Sequence, residues 1–416
     1  MAIQKRTLNN NIVLITEPID TAKTVSVGFW FPVGSRFETD KNRGVTHFVE
    51  HMLFKRTLKK TAFDIARAFD RIGGYINAFT ERDLMCLHAT VPSEHLEYTL
   101  SIMCEMVTDS VFAEEDIERE RKVIESEIIT SQDDPEEVAF DELYAVLFPN
   151  QGISESIAGS VNDVSLLTRN EIFNWYKDNV SLGALSVIIC GNADIEKAAL
   201  ILENLEKRNL PLEILAKPEW AVSKKNIKAP FQQNQIFAAF PIKLPLTEKK
   251  INCLTVLNAV IGDTMSSRLF QRLREQNGYC YTVYSFITLF SDCAFWCAYA
   301  SVAKKNTSIV LKELDNELKK LFSGDLNEME IEAAKEHIVG EEIIASEDVE
   351  LRMKRLARLH FSNFPLIVYT EFVKNIRSLS KEDLLFQLSE MLDFSKETIV
   401  VYGGSYGFKS FFKCKN

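Results

Sequence analysis

The sequence predicts an α+β fold made of two similar domains, each of about 200 residues, which is within the usual range of domain sizes. Two observations support this prediction. Matching segments follow one another in the same order in both halves of the 416-residue chain. A chain of this length is also longer than a domain with a single hydrophobic core usually is. Between the halves lies a stretch with three prolines, several lysines and little periodicity. We therefore predict an N-terminal domain at 1–205, a linker at 206–230 and a C-terminal domain at 231–416.

Each half begins its repeated part with a buried strand. The apolar runs VSVGFWF at 25–31 and QIFAAF at 235–240 have the length and composition of such strands. A helical stretch and then a pair of strands follow in each half, at 75–91 and at 279–302. The second pair is rich in aromatic and β-branched residues, which favour strands. The order strand, helix, strand pair is therefore predicted twice.

Helices and a closing strand complete the repeat. A helix is predicted at 94–109 in the first half and at 307–322 in the second. The clearest match is IERERKVIESEII at 117–129 with IEAAKEHIVGEEII at 331–344, one residue longer. The last match is an apolar strand ending in glycine, at 185–191 and at 398–404. Several parallels in the same order indicate a duplication.

Composition narrows the class of protein. A hydrophobic content of 46% and a charged content of 26% are typical of a globular protein. The net charge of −11 argues against a nucleic-acid partner, which normally meets a basic patch. The N-terminus lacks a signal-peptide core, and the most apolar later stretch is far shorter than the roughly 20 residues that span a bilayer. The eight scattered cysteines form no C-x-x-C pair and are typical of reduced, buried thiols. We expect no membrane partner and a cytoplasmic location.

One five-residue string, HFVEH at 47–51, indicates the chemistry. His47 and His51 are four residues apart, so in a helix they lie on one face, about one turn from each other. Two imidazoles in this arrangement can share a zinc ion, and Glu50 lies beside them as a candidate general base. The order H-x-x-E-H is the inverted-zincin signature, and it predicts a metallopeptidase.

A catalytic zinc site needs a third protein ligand. The remaining histidines form no helical pair, and we interpret each as a structural or surface residue: His88, His95, His337 and His360. The predicted helix at 113–130 is strongly acidic, with Glu120 and Glu127 seven apart along one face and Glu125 pointing away from them. On spacing alone, a solvated helix with surface ion pairs is the commoner explanation of this pattern. The spacing alone therefore leaves the third ligand open.

Longer stretches around these residues carry a family resemblance. GSRFE at 34–38 and GVTHFVEHMLFK at 44–55 resemble the active-site region of the M16 peptidases, which include pitrilysin, insulin-degrading enzyme and mitochondrial processing peptidase. The similarity covers nearly the whole chain, including 77–80, 120–128, 159–160, 266–270 and 274–281. Two domains in one chain resemble the M16B group, similar to the β subunit of mitochondrial processing peptidase and to bacterial processing proteases. The resemblance implies domains that each contain a mostly antiparallel sheet with helices packed on one face, and that enclose a chamber.

The resemblance also implies roles for the residues of the first half. Glu127 is implied as the third ligand of one Zn²⁺ per chain, together with His47 and His51. Glu120 matches a carboxylate that supports such a site by orienting a histidine ligand. Glu50 is implied as the general base that takes a proton from the attacking water and returns it to the leaving amine.

Two further groups of residues acquire roles only through the resemblance. By themselves, Arg274 and Tyr281 are a surface arginine and a strand tyrosine. Family residues at these positions hold the substrate backbone and stabilise the negative oxygen formed during attack. Asn77, Ala78 and Phe79 resemble the family's exposed edge strand, onto which a peptide adds as another strand. Without the resemblance they would be an ordinary covered strand.

These features together predict a zinc-dependent endopeptidase that hydrolyses peptides or unfolded polypeptide segments in an enclosed chamber. We expect a homodimer, or a heterodimer with a related subunit. Three alternatives stay open at this point: a catalytically silent family member, a subunit that is active only with a different partner chain, and a non-catalytic peptide-binding module.

Overall fold

A computed structural model describes residues 3–211 and 216–404. In this part of the chain the strands are β1 (Gln4–Thr7), β2 (Val13–Pro18), β3 (Thr24–Phe31), β4 (Tyr75–Thr80), β5 (Met85–Pro92), β6 (Ser186–Gly191), β7 (Lys224–Lys228), β8 (Gln233–Pro241), β9 (Cys280–Leu289), β10 (Ala294–Ala303) and β11 (Thr398–Gly403). The α-helices are α1 (Val45–Met52), α2 (Ala62–Asp70), α3 (Leu96–Thr108), α4 (Glu114–Gln132), α5 (Pro135–Leu147), α6 (Val161–Leu166), α7 (Arg169–Tyr176), α8 (Ile195–Glu203), α9 (Glu248–Asn258), α10 (Thr307–Phe322), α11 (Glu328–Ala345), α12 (Val349–Phe361), α13 (Tyr369–Arg377) and α14 (Lys381–Met391).

The chain forms two compact units that interleave along the sequence. The described residues of the first unit lie within 1–133, 151–216 and 345–361, and those of the second lie within 134–150, 217–344 and 362–416. Each unit therefore includes one helix from the other half of the sequence: α12 belongs to the first unit and α5 to the second. The continuous domain limits 1–205 and 231–416 stay a prediction, from which the compact units differ by this exchange.

The first unit is built on a six-stranded sheet in the order β1-β2-β6-β3-β5-β4, in which only β2 and β6 run parallel. Alternate side chains of β3 enter one hydrophobic core, which α1, α3 and α4 also line: Val25, Val27, Phe29 and Phe31. The opposite face of β3 meets α12. A Cβ atom on Gly28 would lie 2.6 Å from Sδ of Met353, and the rings of Trp30 and Phe361 are 6.0 Å apart. Helices thus cover both faces of this sheet.

The second unit contains a five-stranded sheet in the order β7-β11-β8-β10-β9, with β7 and β11 parallel and the other pairs antiparallel. These five strands repeat the order and directions of β2-β6-β3-β5-β4. On one face of the sheet, α5 places the ring of Phe140 5.1 Å from Phe237 and 5.8 Å from Tyr299. The predicted α+β class with two similar, mostly antiparallel domains is confirmed. The exchanged helix on the second face of each sheet was not predicted.

The range 206–230 contains more structure than a linker prediction suggests. Arg208 is 2% exposed, and its Nη1 donates to the carbonyl of Val180 at 3.0 Å. Residues Lys224–Lys228 form strand β7, which pairs in parallel with β11. The residues between these two features at 212–215 lie outside the described part of the chain.

Two expectations drawn from composition bear on the described residues. The seven cysteines there are buried thiols, as predicted, whereas Cys414 lies outside this part of the chain. No helix within 3–211 or 216–404 has the length and apolar character that crossing a membrane requires.

Candidate metal centre

Helix α1 begins at a position that only glycine occupies easily. Gly44 has a φ of +82°, and a Cβ atom there would lie 2.5 Å from the carbonyl oxygen of Ala158. Gly44 has no side chain to cap the helix, and Glu38 takes over this role. The Glu38 carboxylate accepts the backbone N–H of Gly44 at 2.6 Å and that of Thr46 at 2.8 Å. Burial raises the pKa of Glu38 to about 7, although these hydrogen bonds act in the opposite direction.

Helix α1 presents both histidines on the face that it does not bury. Val45, Phe48 and Val49 pack into the core, and the His47 and His51 rings lie 4.6 Å apart at 71°. Burial, and then the neighbouring His51, lower the pKa of His47 to about 4. His47 is therefore neutral at pH 7, which is the form that binds metals. Its Nδ1 is buried and has no hydrogen-bond partner among the described residues.

Helix α4 supplies the third donor. It buries Ile117, Ile124 and Ile128 and thereby places Glu127 opposite α1. Oε1 of Glu127 lies 3.8 Å from Nε2 of His47, and its Oε2 lies 3.5 Å from Nε2 of His51. The three ligand atoms all lie within 4.8 Å of one another. Zinc sits about 2.0–2.2 Å from nitrogen and oxygen donors. This donor set can therefore close around one ion with small side-chain movements.

Glu120 lies behind one of the histidines. Its Oε1 is 2.9 Å from Nδ1 of His51, and its Oε2 is 2.6 Å from Nζ of Lys55. Burial acts to raise the pKa of Glu120, but the hydrogen bonds from His51 and Lys55 outweigh burial and hold that pKa below its usual value. Because the carboxylate engages Nδ1, Nε2 of His51 is the nitrogen that faces Glu127.

Arg121 fastens α4 against α1. Its guanidinium carbon lies 5.5 Å from the centre of the Phe48 ring, and its Nη2 donates to the carbonyl of Leu167 at 2.8 Å. Its Nη1 also donates to the carbonyl of Val164. This arginine connects the helix that carries Glu127 to the helix that carries the histidines. Sequence reasoning did not single it out, since it resembles any other charge of an acidic helix.

The predicted base lies next to the predicted substrate strand. Oε2 of Glu50 accepts the hydroxyl of Thr80 at 2.5 Å, and burial raises the pKa of Glu50. Thr80 ends β4, which is an edge of its sheet. The same strand carries Asn77, Ala78 and Phe79, and the N–H of Ala78 donates to Oδ1 of Asn77 at 2.9 Å. One unit thus brings together the H-x-x-E-H helix, the acidic helix and the edge strand.

Arg274 and Tyr281 meet in the second unit. The guanidinium of Arg274 lies 4.8 Å from the Phe270 ring and 4.8 Å from the Tyr281 ring. The pairing of β9 with β10 shifts register between Thr282 and Cys280, which leaves Tyr281 at a β-bulge. Bulges redirect side chains, and Tyr281 is 76% exposed.

Comparisons with known proteins identify the family. Residues 13–161 match the model described as Insulinase (Peptidase family M16), and residues 166–338 match the Peptidase M16 inactive domain. An uncharacterized zinc protease of Streptomyces coelicolor is 30% identical over 393 residues, which cover 92% of this chain and 85% of that protein. The chain belongs to the M16 peptidase family. A second relative, the uncharacterized zinc protease YmxG of Bacillus subtilis, is 30% identical over 85% of this chain and 87% of its own length.

Solved structures share this M16 fold over nearly the full chain. A peptidase M16 inactive domain from Pseudomonas fluorescens has a TM-score of 0.89 at 17% identity and covers 98% of this chain and 99% of its own. A protease from Helicobacter pylori has a TM-score of 0.85 at 19% identity, with coverage of 97% and 99%. A chain of Complex III2 from Candida albicans has a TM-score of 0.80 at 18% identity, with coverage of 97% and 96%. The family prediction is confirmed, and the individual roles of the site residues stay predictions.

Proposed function

We propose that this M16 protein is a zinc-dependent endopeptidase that hydrolyses peptides or unfolded polypeptide segments. The observation that carries the proposal is the convergence of His47, His51 and Glu127, with Glu50 close enough to His51 and Glu127 for their charges to act on it. We assign these three donors to one Zn²⁺ per chain, in agreement with relatives that are named zinc proteases. Zinc held by three protein ligands lowers the pKa of a water molecule to about 7 and polarises a carbonyl.

Glu50 is the proposed general base. Thr80 holds one of its carboxylate oxygens, which leaves the other to accept the proton of the attacking water. Burial makes this carboxylate a stronger base by raising its pKa. The same oxygen then delivers the proton to the nitrogen of the leaving amine as the peptide C–N bond breaks.

The edge strand β4 is the proposed binding site for the substrate main chain, through Asn77, Ala78 and Phe79. Main-chain pairing at an edge places little demand on substrate sequence, which suits extended peptides. The N–H of Ala78 donates to the Asn77 side chain. When a substrate binds, this N–H can exchange that acceptor for a substrate carbonyl. The hydrogen bond from Thr80 to Glu50 ties the end of this strand to the proposed base.

Arg274 and Tyr281 are proposed to hold the substrate backbone and to stabilise the negative oxygen that forms during attack. Their shared stack with Phe270 holds the guanidinium in place, and the bulge exposes the tyrosine. Preorganised donors of this kind lower the free energy of the transition state by several kcal/mol. The enclosed chamber, the dimer and the cytoplasmic location stay predictions.

Cleavage of quenched peptides by wild type and by Glu50→Gln tests the proposal, with zinc content measured in both. We expect the variant to keep its zinc and to lose about 10²–10⁴-fold in kcat, the usual contribution of a general base. Equal activity in the two proteins would contradict the proposed chemistry. A wild type that cleaves nothing but binds peptides equally well with and without zinc would support a non-catalytic binding module instead.

A further inference from the structure

Lys55 makes an ion pair directly behind the metal centre. It follows α1 by three residues, in a turn where its N–H donates to the carbonyl of Met52 at 3.1 Å. Its Nζ lies 2.6 Å from Oε2 of Glu120, whose Oε1 lies 2.9 Å from Nδ1 of His51. The Glu120 side chain is 6% exposed, and the Lys55 side chain is 31% exposed.

The two contacts together determine how the Glu120 carboxylate is oriented. His51 lies in the last turn of α1 and Lys55 in the turn that follows it, and the two side chains hold the two oxygens of the same carboxylate. A carboxylate buried to this degree depends on its ionic and hydrogen-bonding partners. Among the described residues, the polar side-chain contact of Glu120 that remains after removal of Lys55 is the hydrogen bond to His51, and one bond does not prevent the carboxylate from rotating.

We propose that Lys55 is a positioning residue of the metal centre: it holds Glu120 in the orientation that accepts Nδ1–H of His51, so that Nε2 of His51 faces Glu127. The proposal rests on the proposed zinc site. Outer partners of metal-binding histidines typically change metal affinity by about 10–100-fold. Lys55 is thus assigned an effect on zinc affinity and none on peptide binding at β4.

A second lysine–glutamate ion pair, Lys60 with Glu105, provides a matched control for the pair of Lys55 with Glu120. Nζ of Lys60 lies 2.5 Å from Oε2 of Glu105, with side-chain exposures of 26% and 10%. This pair has the same chemistry and similar side-chain exposure; Lys60 lies in the segment that follows α1, and Glu105 lies in α3. Glu105 also accepts the hydroxyl of Thr57, and within the described part of the chain its side-chain hydrogen bonds reach no proposed metal ligand. Removing either lysine therefore leaves a buried glutamate without its cation, but only one of these glutamates touches the metal centre.

The experiment compares Lys55→Met with Lys60→Met, using Lys55→Arg as the conservative variant. Zinc affinity is measured by competition with a chelator, together with Tm and with kcat and KM at saturating zinc. We expect Lys55→Met to weaken zinc binding by about 10–100-fold, Lys60→Met to leave it within about twofold of wild type, and both to lower Tm. Lys55→Arg should recover most of the affinity, and KM should stay unchanged in all three variants.

Equal zinc affinity in Lys55→Met and Lys60→Met would overturn the positioning role. Should Lys55→Met fail to fold, Lys55→Gln provides the same comparison, since it also removes the charge. Failure of the proposed function gives a different result, because wild type itself would then bind no zinc or cleave no peptide. Normal zinc binding and cleavage in wild type, with unchanged affinity in Lys55→Met, would reject only the role of Lys55.

Discussion

The two sheets share their strand order and directions, but the polar side chains beside their edge strands differ. The strands β2-β6-β3-β5-β4 and β7-β11-β8-β10-β9 share their order and directions. In each unit a helical segment leads from the central strand to the edge strand and is tied to that edge strand by a polar side chain. Glu50 accepts Thr80 of β4 at 2.5 Å, and Asn258 accepts Ser285 of β9 at 2.7 Å.

The difference lies in what surrounds these two contacts. Oδ1 of Asn258 also accepts Nε1 of Trp296 at 2.8 Å, and Asn258 is 5% exposed. The segment 242–279 contains no histidine. In the first unit, by contrast, His47 and His51 turn their Nε2 atoms towards a common carboxylate. The same fold therefore accommodates either a closed polar network or a set of metal donors, and the side chains decide which function it supports.

The largest expected effect comes from removing the donor that α4 contributes. Glu127→Gln should lose zinc affinity by well over the roughly 100-fold typical of outer partners, and activity should fall with it. Glu125→Gln on the same helix is the control and should bind zinc as wild type does. Metal analysis and peptide cleavage check both variants, and full zinc occupancy in Glu127→Gln would refute the ligand assignment.

Tyr281→Phe tests the contribution of the second unit to the chemistry. The variant keeps the ring that stacks on Arg274 and removes only the hydroxyl. We expect zinc content to stay unchanged and kcat to fall by about 10²–10³-fold, the cost of losing one oxyanion donor. Tyr284→Phe serves as a control on the same strand, because that hydroxyl donates to Glu136 at 2.7 Å. An unchanged kcat in Tyr281→Phe would remove the Tyr281 hydroxyl from the proposed mechanism.

Asn258→Ala tests whether the polar network of the second unit is independent of zinc binding in the first. The substitution leaves Nε1 of Trp296 buried without this acceptor, at a cost of about 1–3 kcal/mol, whereas the hydroxyl of Ser285 keeps the backbone carbonyl of residue 258, which lies 3.3 Å away. Denaturant unfolding should show this loss, whereas zinc affinity should match wild type. A loss of zinc from this variant would mean that the two polar networks are not independent.

Acid should weaken the first unit through the docking of α12. Burial, and then Lys5, lower the pKa of His360 to about 4, while its Nε2 lies 3.1 Å from the hydroxyl of Ser186. As pH falls from about 6.5 to 4, the unfolded chain binds this proton before the folded chain does, so stability is lost over that window. The loss is less than the about 3 kcal/mol of the full pKa shift, because solvent screens the partly exposed ring. Helix α5, the exchanged helix of the second unit, has no histidine.

Unfolding measured across this pH range in wild type and His360→Gln tests the prediction. The difference in free energy of unfolding between the two proteins should shift in favour of the variant as pH falls. Parallel pH profiles would mean that His360 does not titrate differently in the folded and unfolded chains.

Local pattern predicted most of the repeated elements. The helix at 307–322 coincides with α10, and the strand at 25–31 coincides with β3 to within one residue. Long apolar periodicity produces such agreement. The strand KKNIK of β7 was missed because it is short, charged and at a sheet edge. The assignment of α5 to the second unit and of α12 to the first was also missed, because the apolar periodicity of a helix does not indicate which sheet the helix packs against.

In the candidate site, too, some residues could be predicted from local sequence spacing and others could not. His47, Glu50 and His51 follow from spacing along one helix, whereas an acidic helix offers several carboxylates of equal appearance. Only the family resemblance selected Glu127 from that helix, and the structure then brought it within reach of both histidines. The contacts of Lys55 with Glu120 and of Thr80 with Glu50 are tertiary, so no local pattern contains them.

Zinc titration of the metal-free protein, with peptide cleavage followed at each step, tests the central claim most directly. We predict no cleavage after chelation and a linear recovery that reaches a plateau at one Zn²⁺ per chain. Undiminished cleavage in the metal-free protein would contradict the assignment of His47, His51 and Glu127 as the catalytic metal site.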